Sequence, residues 1–333
     1  MRLRWLLFVV AATGILAGGC VYGLRWLGTQ PLMEAGAPIR ITIDQGMGLR
    51  AIARQLHRQG LVAHPLLFVG VARLHGKADR LKAGVYEIRP GMSARSFMEA
   101  MARGDSIREQ IRFIEGWTFK QIRAAVDAHP GLKHDSRQWT VSTLLERIGA
   151  IEKGPEGLFF PDSYQFASGS SDLVVWRQAY TQMRSMIERT WRERQPGIPV
   201  ATPYEALILA SIVEKETGNP SDRPQIAAVF SNRLRIGMRL QSDPTVIYGM
   251  GASFDGNLRR ADLEQDTPYN TYIRPGLPPT PIASPGAAAL EAVMRPPASR
   301  ALYFVARGDG SSEFSESLSD HNRAVDRFQR RSP

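Results

Sequence analysis

One cysteine, Cys20, stands in a chain of 333 residues. That excludes an intrachain disulfide framework and any cysteine-rich zinc site. Lysine is scarce as well, with six against 36 arginines, a skew that codon bias often produces. Uncharged apolar stretches are short, with the exception of Trp5–Leu24, which runs 20 residues without a charge. Acidic groups are outnumbered 32 to 42, for a formal charge of +10 and a pI near 10.0. Such a balance points to nucleic acid, a membrane surface or an acidic polymer as partner. Hydrophobic residues at 43% and charged residues at 22% exclude generic disorder, and the length suits about two domains.

The charge is uneven. Residues 1–39 carry +2, residues 40–108 carry +7, and residues 109–333 carry only +1. The uncharged run Trp5–Leu24 would reach about 30 Å as a helix, the thickness of a bilayer core. Arg2 and Arg4 precede it and Arg25 follows. This bias keeps the N-terminus cytoplasmic and sends the body outward. Trp5, Tyr22 and Trp26 stand where aromatic belts form. A cleaved signal peptide, with Ala17-Gly18-Gly19 as a loose site, and a lipoprotein signal acylated at Cys20 are the alternatives. In each case the body lies outside the cytoplasm, which removes nucleic acid as a partner.

Residues 1–38 therefore read as cytoplasmic tip, transmembrane anchor and linker. Ile39–Ile43 alternates like a strand, helical spacing follows from Leu49, Pro65 opens a second helix, and Gly84–Ile88 is a second strand. Ser93 caps a further helix that stops at Gly104. This β-α-α-β order over residues 39–108 is the layout of LysM wall-binding domains. Residues 109–333 form a larger α+β domain. In it, Thr118 caps a helix, and 172–194 is a long amphipathic helix whose aromatic stripe is core packing.

Thr202-Pro-Tyr-Glu205 is a capping box with proline at the first helical position. The helix runs through Leu207-Ile-Leu-Ala-Ser-Ile-Val213 to Glu214-Lys-Glu-Thr217. Being apolar on nearly every side, it should be buried. Residues three, four and seven before Glu216 are Val213, Ile212 and Leu209, whereas the same offsets before Glu214 give Ser211, Ala210 and Leu207. Glu216 thus projects from the more apolar stripe. Desolvation and a helix C-terminus both keep its carboxyl protonated, as a general acid requires. The alternative is an exposed last turn, with both glutamates solvated or paired with Lys215 or Arg223. Downstream, 223–236 is a helix closed by Gly237, Gln241–Thr245 is a polar turn, and Thr267–Tyr272 and Gly276–Ile282 are rigid loops rich in aromatic, amide and hydroxyl groups. Such loops suit sugar recognition. Gln241, Asp243, Tyr269, Asn270, Tyr272 and Asn322 are the candidate substrate contacts, and neither metal nor cofactor is expected.

Several segments, in order, resemble the membrane-anchored endolytic murein transglycosylases, the YceG-like family. They are Glu156–Tyr164, Ala210–Thr217, Asn232–Met238, Leu240–Gly249, Tyr269–Tyr272, Gly276–Pro279, Leu302–Ala306 and His321-Asn322. The resemblance implies cleavage within nascent peptidoglycan strands by a lytic transglycosylase of the bacterial inner membrane. It implies Glu216 as the catalytic residue, peptidoglycan synthases as partners, and no cofactor. Many members have histidine where this chain has Ser312. The competing reading is a non-catalytic peptidoglycan-binding scaffold of the synthesis or division machinery.

Overall fold

Apolar periodicity resolves into an α+β architecture in the computed structural model, which describes residues 2–44, 46–76 and 80–330. The side chains of Arg2 and Arg4, on which the orientation of the N-terminus was read, lie outside the described residues. The chain divides into two units. One is Met1–Glu109 with Gly131–Lys133 and Gln165–Ser170; the other holds the remainder.

In the first unit, helix α1 (Arg2–Thr29) contains one stretch long and apolar enough to cross a membrane, Val10–Thr29. It extends further toward the C-terminus than the uncharged run Trp5–Leu24, because Arg25 does not interrupt the helix. Strand β1 (Ile39–Ile43) pairs antiparallel with β2 (Gly84–Ile88), with Ile41 opposite Tyr86. Helices α2 (Leu49–Arg58) and α3 (Pro65–Leu74) lie between them in sequence, and α4 (Ala94–Arg103) follows. Ser93 caps α4 by accepting the Ser96 N–H at 3.1 Å, and Gly104 ends it at φ 83°, a left-handed conformation that suits glycine.

The period-two and three-four apolar positions of these elements meet in one core: Ile41, Ile52, Leu56, Phe68, Tyr86 and Phe97 are all buried. Arg50, Arg54 and Arg58 lie at four-residue steps on the exposed face of α2. The end of α1 belongs to this core, since Leu24 and Leu27 pack against it. The segment read as a linker is also bound in place. The Leu32 N–H donates to Met92 O at 2.8 Å, the Gly91 N–H donates to Met33 O at 2.9 Å, and both side chains of 32 and 33 pack on the core.

Short strands β3 (Arg108–Arg112), β4 (Leu132–Lys133), β5 (Ser163–Ala167) and β6 (Ser170–Ser171) lie where the chain passes from one unit to the other. The second unit contains α5 (Phe119–Ala128), α6 (Val141–Ile148), α7 (Leu173–Arg192), α8 (Pro203–Glu216), α9 (Arg223–Arg235), α10 (Asp243–Met250), α11 (Arg260–Glu264) and α12 (Ala287–Met294). A hairpin of β7 (Tyr303–Ala306) and β8 (Ser312–Ser315) and helix α13 (Leu318–Val325) complete it.

Helix α8 is central: Ala206 to Val213 are all buried, and α7, α9, α10 and α12 pack around it. Trp176 of α7 is fully buried against Phe113, Phe119 and Phe159, with ring centroids 4.8–6.2 Å apart. The α7 stripe is therefore core, with Trp176, Tyr180 and Met183 buried. One local expectation changes. Gln241–Thr245 is not simply a turn, because Asp243 and Pro244 open α10. Proline has a helical φ and no N–H to satisfy, so it is suited to a first turn, and Asp243 favours the positive end of the helix.

Candidate functional site

The buried barrel of α8 ends in Glu214-Lys215-Glu216, and its three side chains go to three different places. The Glu214 carboxylate accepts the Gly286 N–H at 2.9 Å, at the N-cap of α12, and faces Arg223 at 3.6 Å. Lys215 donates to Gly116 O at 3.4 Å. Glu216 turns into a cleft of about 450 Å³ that is also lined by Arg233, Gln241, Asp243, Tyr272, Tyr303 and His321. That volume lies within the range of small-ligand sites.

Burial raises the pKa of both glutamates, so the apolar stripe alone does not separate them. Their partners do. Glu214 is opposed by the Gly286 N–H and the Arg223 charge, which hold it toward the anion. The alternative of an exposed last turn is not what is seen: Glu214 meets Arg223, but with both side chains largely buried. Glu216 is pushed up to about 7, chiefly by burial and further by the neighbouring Asp243 charge. A hydrogen bond from Ser242 and the Arg233 charge pull the other way. Glu216 is thus poised to hold or release a proton near neutral pH.

The parts that surround Glu216 are rigidly held. Ser242 Oγ donates to Glu216 Oε1. The Ser242 N–H donates to Thr271 Oγ1 at 3.0 Å, Thr245 Oγ1 donates to Ser242 O at 2.7 Å, and the two threonine hydroxyls are 2.9 Å apart. All three residues are buried. Gln241, immediately before, has φ 50°; among the described residues no other non-glycine has a positive φ. A strained, non-glycine conformation held by its surroundings is a frequent mark of a functional site. Here the Gln241 N–H bond to Thr271 O, at 3.1 Å, helps to hold it.

Arg233 is buried, with its guanidinium donating to Leu302 O at 2.7 Å and Leu240 O at 2.5 Å. It lies 5.5 Å from the centroid of the Tyr303 ring, and Tyr303 stacks on His321 at 5.3 Å. Burial and then the Arg233 charge lower the His321 pKa, which keeps the ring neutral. Tyr272 donates to Asp243 Oδ1 at 2.5 Å, and burial together with Asp243 raises its pKa.

Four of the expected site residues come together in the cleft: Glu216, Gln241, Asp243 and Tyr272. Three do not line it. Asn270 is fully buried, and its amide nitrogen donates to the carbonyls of Asp262, Leu263 and Gln265 at 2.7–3.4 Å. Its Oδ1 accepts the Tyr272 N–H at 2.9 Å. Asn270 therefore closes the end of α11 and places Tyr272. Tyr269 shares a hydrogen bond with Thr280 Oγ1 at 2.9 Å and packs edge-on against Tyr248. Asn322 is exposed on α13, one residue beyond the cleft residue His321.

The sequence reading missed Arg233, Ser242 and Tyr303. Their only sequence signal was membership of the motifs Asn232–Met238, Leu240–Gly249 and Leu302–Ala306. It also missed Glu156, a buried carboxylate that accepts the Phe119 N–H at the start of α5 and the Tyr248 hydroxyl. Ser312 lies opposite Ala306 in the hairpin, and Ala306 lines the cleft. Among the described residues no group of three or more histidine, cysteine, aspartate or glutamate side chains could hold a metal ion.

The model of the YceG-like family matches residues 41–327. An endolytic murein transglycosylase of Bacillus subtilis (strain 168) is 29% identical over 332 residues, covering 94% of this chain and 91% of its own length. One of Streptococcus pneumoniae (strain R6) is also 29% identical, covering 96% of this chain; the match spans 64% of that longer protein. The crystal structure of a yceG-like protein from Listeria monocytogenes is 30% identical and superposes with a TM-score of 0.54, covering 87% of this chain and 99% of that one.

Proposed function

The chain belongs to the YceG-like family, and from that premise we propose that it is an endolytic peptidoglycan lytic transglycosylase with Glu216 as its acid and base. The observation that carries this reading is the Glu216 carboxyl in the cleft, pushed up to about 7, while Asp243, which also lines the cleft, accepts the Tyr272 hydroxyl and Glu214 is sealed two residues away. Ordinary glycosidases use two carboxyl groups. A lytic transglycosylase works with one, because the second nucleophile is part of the substrate.

Glu216, protonated, donates to the oxygen linking N-acetylmuramic acid to N-acetylglucosamine. The bond from that oxygen to the muramyl anomeric carbon breaks. The resulting carboxylate then accepts the proton of the muramyl 6-hydroxyl, whose oxygen closes onto the same anomeric carbon. The product is a 1,6-anhydro end, no water is consumed, and Glu216 is again protonated. Intramolecular attack has a high effective concentration. One group that gives and then takes a proton works best with a pKa near ambient pH. Burial and Asp243 favour the acid form, while Ser242 and Arg233 favour the anion, and these opposed influences supply that balance.

Gln241, Asp243 and Tyr272 hold the sugars beside Glu216, and Asn270 acts through Tyr272 as a positioning residue. Helix α1 anchors the chain in the inner membrane with its body in the periplasm. The small basic unit, LysM-like in element order, binds the wall or anionic lipid. Digestion of purified sacculi by the full-length protein, read by mass spectrometry, tests the activity. Anhydro-muropeptides are expected. Reducing ends would make it a hydrolase, and no release would make it a scaffold.

A further inference from the structure

We propose that the small unit does not stand off from the membrane on a tether but is seated in the lipid interface through Leu66 and Leu67, at the start of α3. The proposal rests on reading α1 as membrane-spanning. Leu66 is 67% exposed and Leu67 is 42% exposed. Outside α1 they are the only two neighbouring residues among the described exposed large apolar side chains; the others, such as Ile151, Ile236 and Leu318, stand singly. Single exposures are ordinary, whereas an adjacent pair at the head of a helix is a surface that calls for an apolar neighbour.

The place of that pair in the unit indicates the neighbour. Gly70, one turn further along α3, touches α1 so closely that a Cβ there would sit 3.0 Å from Leu24 Cδ2. Gly28 makes a similar approach, where a Cβ would sit 2.9 Å from Val71 Cγ1. Both Leu24 and Gly28 fall within Val10–Thr29, the stretch apolar enough to span a bilayer. A helical turn is about 5 Å, so the first turn of α3 lies about that far from a contact with the spanning helix itself.

Tyr22 and Trp26, on either side of Leu24, are 75% and 57% exposed. Their amphipathic rings suit the headgroup level. Arg25 and Arg73 are exposed on the two contacting helices and can reach lipid phosphates from long apolar stems. An apolar groove of about 210 Å³, lined by Leu27, Pro31, Leu61, Leu67, Phe68 and Val71, opens in the same region. The backbone bonds between Leu32 and Met92 and between Met33 and Gly91 tie the end of α1 to the unit. Once α1 is inserted, the depth of α3 is therefore set.

The test uses the full-length protein carrying Cys20→Ser, with a single labelled cysteine introduced by Leu66→Cys or, as the mid-span reference, Ile15→Cys. Each is reconstituted into vesicles of phosphatidylethanolamine and phosphatidylglycerol. Lipids brominated on the acyl chain should quench both labels at least about twofold, with shallow bromines the more effective at position 66. Aqueous iodide should have little effect on either. Iodide quenching at position 66, with bromolipid quenching only at position 15, overturns the proposal while leaving α1 as an anchor. So does a position 66 label that neither quencher reaches, which would mean that protein covers the leucines. A label at position 15 untouched by bromolipid overturns both the span and the seat. No outcome depends on enzymatic activity, so the catalytic reading stands or falls separately.

Discussion

The two flanks of the end of α8 differ in almost everything except composition. On one side Glu214 is sealed among the Gly286 N–H, Arg223 and the start of α12. On the other Glu216 faces a cleft, and among the described residues its carboxyl has a hydroxyl as its direct hydrogen-bond partner. Burial acts on both carboxyls in the same sense. What separates the two carboxyls is thus what meets them. Glu156 repeats the sealed pattern at the start of α5, where it receives the Phe119 N–H and the Tyr248 hydroxyl.

The strongest way to break this comparison is to exchange the open acid. Glu216→Gln should lower the release of anhydro-muropeptides by at least ~10²-fold, the usual reach of a general acid, with unchanged circular dichroism. The same substitution should flatten stability against pH. The folded-state pKa of Glu216 is raised from 4.5 to about 7, so the folded wild type binds the extra proton between those values. Wild-type stability therefore falls as pH rises through that window, whereas the glutamine variant should lack this slope in thermal melts. A variant that keeps its activity would remove Glu216 from the mechanism.

Changing the sealed side should have the opposite signature. Glu214→Ala leaves the Gly286 N–H and the Arg223 charge without their partner, at a cost of about 2 kcal/mol in denaturant unfolding. Activity per folded molecule should remain. If Glu214→Ala abolished activity without loss of stability, the two roles would be exchanged.

The smallest effect belongs to Ser242. Its hydrogen bond lowers the Glu216 pKa, so Ser242→Ala should move the basic limb of the pH–rate profile upward and change the rate at the optimum only a few-fold. Ser242→Thr, which restores a hydroxyl, should bring the limb back. A purely structural serine would lower activity without moving the limb.

Local features were legible in the sequence. The alternation of Ile39–Ile43, the caps at Ser93, Thr118 and Thr202, and the nearly all-round apolarity of α8 were each set by residues close in the chain, and each appears in the structure. Spacing alone placed Glu216 on the last turn of a buried helix. The rest depended on distant partners. Arg233 is held by Leu302 O, 69 residues away, and no local pattern announces that bond. Asn270 looks the same in sequence whether its amide meets a sugar or three carbonyls, and the fold uses it on carbonyls. The apolar stripe beneath Glu216 correctly indicated desolvation, but it could not show that Glu214, beneath a smaller-residue stripe, would also be desolvated.

The packing of α1 also bears on where this protein can be cut. A hydropathy plot suggests trimming everything before Ile39 to obtain a soluble body. That cut would take Leu24, Leu27, Leu32 and Met33 away from the core they cover, together with the backbone partners of Gly91 and Met92. The face of α3 around Gly70 and Val71 would be stripped bare beside Leu66 and Leu67. The stretch apolar enough to span a membrane and the folding unit overlap in this chain, and a protein trimmed by hydropathy alone would expose the core that Leu24, Leu27, Leu32 and Met33 cover.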